Sequence, residues 1–172
     1  MSFLGRLLGT QPDPKDALRP LWHTAIGIAR EPHWYAIGGV ADTVPGRFDA
    51  VAMVTALIML RMDGNEALKA PSARLTELFV EDMDGQMRQS GVGDLMVGKR
   101  MGKLMQALGG RIAAFREALA QHGDEALVAA VSRNVTLADA SDPAHIAAGL
   151  RRLAADLAVT GDDDLLAGRI AR

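Results

Sequence analysis

The sequence predicts an all-α fold: one compact domain of six or seven helices with a long amphipathic fourth helix. Three observations predict it. Apolar residues recur at spacings of three and four along most of the chain. Pro, Gly, Asp and Asn fall between these stretches, where helix caps and stops belong. Aromatics are only 4% of the 172 residues, too few for a sandwich or barrel, while Ala, Leu, Gly and Met are plentiful.

The elements follow in order. Residues 1–12 form an N-terminal segment in which Phe3, Leu4, Leu7 and Leu8 flank Arg6. It reads either as a short capping helix or as an amphipathic helix lying on a membrane surface. Residues 13–172 form the single helical domain. Asp13-Pro14 and Asp16 open a first helix, with Pro20 tolerated in its first turn and Leu21, Trp22, Ala25, Ile26 and Ala29 on one face. Pro32 interrupts, His33 to Ile37 gives a short helical turn, and Gly38-Gly39 and Asp42 to Gly46 read as loop. A second helix runs from about Arg47 to Met62 and stops at Asp63-Gly64-Asn65. Pro71, at a helix N1 position, starts a third that carries Leu75, Leu78, Phe79, Met83 and Met87 and ends at Gly91.

Asp94 caps the fourth helix. Its apolar positions Met101, Leu104, Met105, Leu108, Ile112, Phe115 and Leu119 give the clearest amphipathic pattern in the chain. Gly98, Gly102, Gly109 and Gly110 thin one side of it, at up to about 1 kcal/mol each relative to Ala. They imply close approach of another backbone, internal or from a partner. Asp124 caps a fifth helix to about Asn134, and Asp142-Pro143 opens a sixth to about Val159. The tail from Gly161 supplies a last short helix.

Composition excludes several function classes. Lys+Arg 19 against Asp+Glu 21 leaves a net charge of −2, against the basic balance of nucleic-acid binders. With no cysteine there is no disulfide framework, zinc-thiolate site, iron–sulfur cluster or Cys nucleophile. The N-terminus lacks the pattern of a secretory signal. The longest apolar run, Ala50 to Leu60, is a buried core helix, since a membrane span needs about 20 residues. The expected location is therefore cytoplasmic.

Chemistry is sparse. Gly93 to Lys99 spells GxxxxGK, but Arg100 stands where a P-loop needs Ser or Thr, and no strand precedes it. His23, His33, His122 and His145 include no pair at helical spacing, so no metal is expected. No Ser sits in a nucleophile elbow. No catalytic residue and no cofactor are assigned. Charge is uneven instead: Arg74 to Asp94 carries two basic and five acidic residues, and Gly98 to His122 five basic and one acidic. This reads as two arms of a helical hairpin that attract each other, or as a bipolar surface that selects a partner. Met83, Met87, Met96, Met101 and Met105 cluster near the same turn, as core filling or as an adaptable apolar surface.

Two stretches together resemble a known family. One is Trp34-Tyr35 followed by Val40-Ala-Asp-Thr-Val-Pro-Gly-Arg-Phe-Asp49. The other is Leu75 to Asp94, with its string Met83-Asp84…Arg88-Gln-Ser-Gly-Val-Gly-Asp94, continuing through Lys99 and Lys103 to Gly110-Arg111. They resemble the ubiquinol–cytochrome c chaperone family over roughly residues 20 to 120. The resemblance implies a non-enzymatic, all-helical assembly chaperone that binds newly made cytochrome b and assists assembly of the ubiquinol–cytochrome c reductase complex, respiratory complex III. It implies cytochrome b as partner, with the ribosome or the inner-membrane surface as further contacts and a peripheral position at the inner membrane. The expected client face comprises Trp34, Tyr35, Arg47, Asp84, Arg88, Asp94, Lys99 and Lys103. Trp34 and Tyr35 are its apolar anchors, and Arg47, Lys99 and Lys103 its contacts to anionic groups. A general helical interaction module or membrane-surface adaptor is the alternative.

Overall fold

The chain is described by a computed structural model covering residues 13–89 and 97–171. Its helices, in order, are α1 (Arg19–Ala29), α2 (Pro32–Ala36), α3 (Val44–Met62), α4 (Lys69–Gln89), α5 (Val97–Leu119), α6 (Glu125–Asn134), α7 (Pro143–Val159) and α8 (Asp162–Leu166). Two 3₁₀ turns, Asp16–Leu18 and Glu66–Leu68, lead into α1 and α4. The described residues contain no named strand, only an isolated antiparallel bridge between Val40 and Leu137.

α3 is the axis. Every residue from Asp49 to Ile58 is buried, as expected of a helix that is apolar all round. It packs against α5, α1 and α7, and α4 closes the bundle against α5, α1 and α3. α6 fills the space between α5 and α7. α5 turns the predicted stripe inward: Leu108 and Phe115 are buried and Leu104 and Ile112 pack against the core.

Several predicted ends shift. α3 begins at Val44, three residues before Arg47, because Pro45 is accepted in a first turn and the Thr43 hydroxyl caps it, accepting from Gly46 N at 3.3 Å. Gly46 is fixed by packing, since a Cβ there would lie 2.0 Å from the Ala41 carbonyl oxygen. α4 begins at Lys69, so Pro71 is its third residue. The preceding 3₁₀ turn is capped by Asn65, whose side chain accepts from Ala67 N. Asp124 precedes α6 without a side-chain cap bond; its carboxylate instead receives Arg151 Nε at 2.6 Å. Asp142 does cap α7, accepting from His145 N at 3.0 Å. The expected Asp94 cap lies outside the described residues.

Candidate client-binding cleft

The connection between α1 and α3 builds a cleft of ≈ 510 Å³. Tyr35 comes from α2, Arg47, Phe48 and Val51 from α3, and Met83 and Gln86 from α4. Ile26, Arg30 and Asp42 complete it. Phe48, Val51, Ile26 and Met83 give an apolar interior, and Arg30, Asp42 and Arg47 a charged rim.

Tyr35 is half-buried. Its hydroxyl donates to the Ala29 carbonyl at 3.0 Å, which fixes the ring in the wall. Desolvation raises the phenol above its ordinary value, and the nearby Asp42 charge adds to this. Arg47 Nε donates to Asp42 Oδ1 at 2.6 Å. That bond holds the Asp42 carboxyl below, and the Arg47 guanidinium above, its usual range. Both partners are largely exposed, so the pair adds little stability and stays available to an incoming charge.

Trp34 is not a surface anchor. It is 1% exposed, and its Nε1–H donates to the Ile28 carbonyl at 2.7 Å. A Cβ at Gly149 would come within 2.7 Å of its ring, so Gly149 makes room for the indole. The large apolar body pays best in the core once its single donor is satisfied. Of the other expected face residues, the two that are described do not gather at this cleft. Asp84 is half-buried on α4 and Lys103 exposed on α5, and neither lines it. Asp94 and the side chains of Arg88 and Lys99 lie outside the described residues, as do those of Met87, Met96 and Met101. Met83 is buried beneath the cleft and Met105 is exposed on α5.

The bipolar hairpin needs a correction as well. Arg111, one of its five basic residues, is only 6% exposed and faces inward. Its guanidinium pairs with Asp49 Oδ1 and donates to the Asn134 carbonyl at 2.6 Å. Asp49 Oδ2 accepts from Thr136 N at 2.8 Å and Thr136 Oγ1 at 2.6 Å. Burial pulls the guanidinium below its ordinary value, and Asp49 opposes the shift. The same group lies 5.6 Å from the Phe48 ring centroid, and Phe48 packs on Phe79 at 5.9 Å. The buried pair therefore stands behind the cleft wall. The signal for it was present: Arg111 lies three after Leu108 and four before Phe115, inside the apolar stripe.

Two histidines that share no helical spacing meet in space. His33 Nδ1 is 3.1 Å from His145 Nε2, and His33 Nε2 is 3.2 Å from Glu31 Oε2. Because His33 uses opposite ring nitrogens, the three groups do not converge on a point. Among the described residues no group of three His, Asp or Glu could hold a metal ion. Nor is any described helix long and apolar enough to cross a membrane. Val97 to Arg100, the end of the GxxxxGK string, lies in α5.

The family model for ubiquinol–cytochrome C chaperones matches residues 37–172. The match runs through α6, α7 and α8, where the sequence shows helical character without a distinctive motif. The crystal structure of the Cbp3 homolog from Brucella abortus is similar, with TM-score 0.81 and 29% identity over 99% of this chain and 96% of that one. No curated protein matches.

Proposed function

We propose, from the premise that this chain belongs to the ubiquinol–cytochrome C chaperone family, that it holds newly made cytochrome b during assembly of the ubiquinol–cytochrome c reductase complex. The observation that carries this is the family match over residues 37–172. The cleft supports it physically. Cytochrome b exposes long apolar helices before its cofactors and partner subunits arrive. A chaperone must cover such surface and still release it. An apolar interior of Phe48, Val51 and Ile26 with an exposed rim of Arg30, Asp42 and Arg47 suits contact of that kind. The role is binding rather than catalysis. In this reading Tyr35 is the anchor that remains after Trp34 is assigned to the core. Lys99 and Lys103 are the proposed contacts to anionic groups of the client, the ribosome or the inner-membrane surface. Asp84, Arg88 and Asp94 are the further proposed contacts to the client.

The test is affinity capture of a tagged copy from its own cells in mild detergent, with mass spectrometry of the eluate. Cytochrome b should be enriched over other membrane proteins. Tyr35→Ala combined with Arg47→Glu should lower that enrichment several-fold, roughly the loss expected on truncating one interface anchor, with the helical circular dichroism unchanged. A different defined partner in place of cytochrome b would move the reading to a membrane-surface adaptor.

A further inference from the structure

The cleft described above does not end at Arg30. A second cleft of ≈ 510 Å³ runs between α1 and α4, and Ile26, Arg30 and Gln86 line both. The two form one trough along α1. Its floor at this end is Trp22, Ile26 and Leu78. Its walls carry opposite charge. Arg19 and Arg30 stand at the two ends of α1, and Glu81 and Asp82 along α4. Some of this charge is already matched: Arg19 pairs with Asp16 at 2.7 Å, and Glu81 with Lys15 at 3.1 Å. Arg30, at the junction of the two clefts, makes no ion pair among the described residues.

From this arrangement we infer that the trough takes an amphipathic helix of the client, acidic along the edge that meets α1 and basic along the edge that meets α4. A helix apolar on every face is the wrong occupant. It would press hydrocarbon against Arg30, Asp82 and Glu81 and strip their water without replacing it, which is costly for a charge. Of the apolar helices that the client exposes, the trough therefore takes one whose edges carry charge. An amphipathic helix places apolar anchors at i, i+3 or i+4, and i+7 on the floor and supplies counter-charges at both rims. The dimensions agree. From Arg19 to Arg30 the wall is about 16 Å long, three turns of helix. The segregated rims also fix the direction in which the guest helix lies. The inference rests on the chaperone reading for the identity of the client and on the trough alone for its shape.

Three synthetic peptides of about 16 residues, enough to span α1, test it by fluorescence anisotropy with the full-length protein. One has a Leu face, a Glu edge and a Lys edge. The second has the same composition with Glu and Lys scattered over both edges. The third is uniformly apolar, with a solubilising Lys tail. The segregated peptide should bind at least about fivefold more tightly than the scattered one, the scale of one or two rim charges. Arg30→Glu should remove most of that preference, and Asp82→Lys, on the opposite wall, should do the same. Equal binding of the first two peptides, or tighter binding of the apolar one, overturns the inference. Capture of cytochrome b separates the two readings. No peptide preference in the wild type, with undiminished cytochrome b capture by Arg30→Glu, sinks the trough and leaves the chaperone standing. Peptide preference without any cytochrome b in the wild-type eluate keeps the trough and sinks the client assignment.

Discussion

Phe48 connects the two polar centres of the molecule. One edge of its environment is the cleft, and the other is the Arg111 guanidinium, 5.6 Å from the ring centroid. Asp49, the next residue, points into the core and receives that guanidinium together with both donors of Thr136. A buried ion pair contributes little net stability when intact, because each charge has lost its water. Breaking it is another matter. Asp49→Ala leaves Arg111 buried without its counter-charge and Thr136 without its acceptor. It should destabilise the fold by about 3–5 kcal/mol, read as a shift in the urea midpoint. The double variant Asp49→Leu with Arg111→Met removes both charges and should recover most of the loss. If the single variant costs as little as a surface substitution, the pair is not the prop of the cleft wall that its geometry describes. Arg111 also shows why the residue scale was partly unreadable. Its position inside the apolar stripe is legible, but basic residues are so commonly exposed that spacing alone does not mark one as core. Its partner, Asp49, is 62 residues away in sequence. Trp34 erred in the opposite direction: an indole beside a Tyr in a Pro-flanked turn resembles an anchor, and only the Ile28 carbonyl and the gap at Gly149 reveal it as core.

Helix ends were legible where their chemistry is local. Asp142-Pro143 caps α7 as the sequence implies, and α3 ends at Met62 ahead of Gly64, which adopts φ +77°. They are hidden where local chemistry is ambiguous. Pro45 and Gly46 look like loop residues, yet Pro suits a first turn, and Gly46 is set by its approach to the Ala41 carbonyl. The glycines of α5 pose a different question. Their number implied that some backbone comes close. A Cβ at Gly102, Gly109 or Gly110 would meet no atom within 4 Å, so no described part of the chain needs the space. Gly in a helix interior costs stability mainly through the freedom of the unfolded chain. Gly109→Ala and Gly110→Ala should therefore each stabilise the protein by about 0.4–1 kcal/mol, measured by urea unfolding. A loss of stability in either would mean that α5 is more crowded than its surroundings indicate. If both variants are more stable but capture less cytochrome b, the glycine face belongs to the client or to a partner of the chaperone.

At the scale of the whole molecule, the last turns of the chain tie the bundle together. Arg61, near the end of α3, donates to the carbonyls of Leu157 and Thr160 at 2.9 Å each and to Asp162 Oδ1 at 2.8 Å. Asn65 donates to the other Asp162 oxygen at 2.7 Å. Farther along, the Gly168 carbonyl accepts from Thr24 Oγ1 at 2.9 Å, and a side chain at 168 would strike the Pro20 carbonyl. The tail thus fastens α3 to α1, two of the helices that line the trough. Its central charge titrates. The Arg61 bond, aided by Asn65, holds the Asp162 carboxyl below its ordinary value in the folded chain. A carboxyl depressed by folding stabilises the native state above its unfolded pKa, near about 3.9. That contribution disappears as pH falls through the lower native value. Asp162→Asn keeps the shape and removes the charge. The wild type should therefore exceed this variant in urea stability at neutral pH, and the difference should shrink as acid protonates the wild-type carboxyl. No difference between the two on either side of that range would show that Asp162 acts through shape alone. The tie between α3 and the tail would then rest on the Arg61–carbonyl bonds, which do not titrate with Asp162.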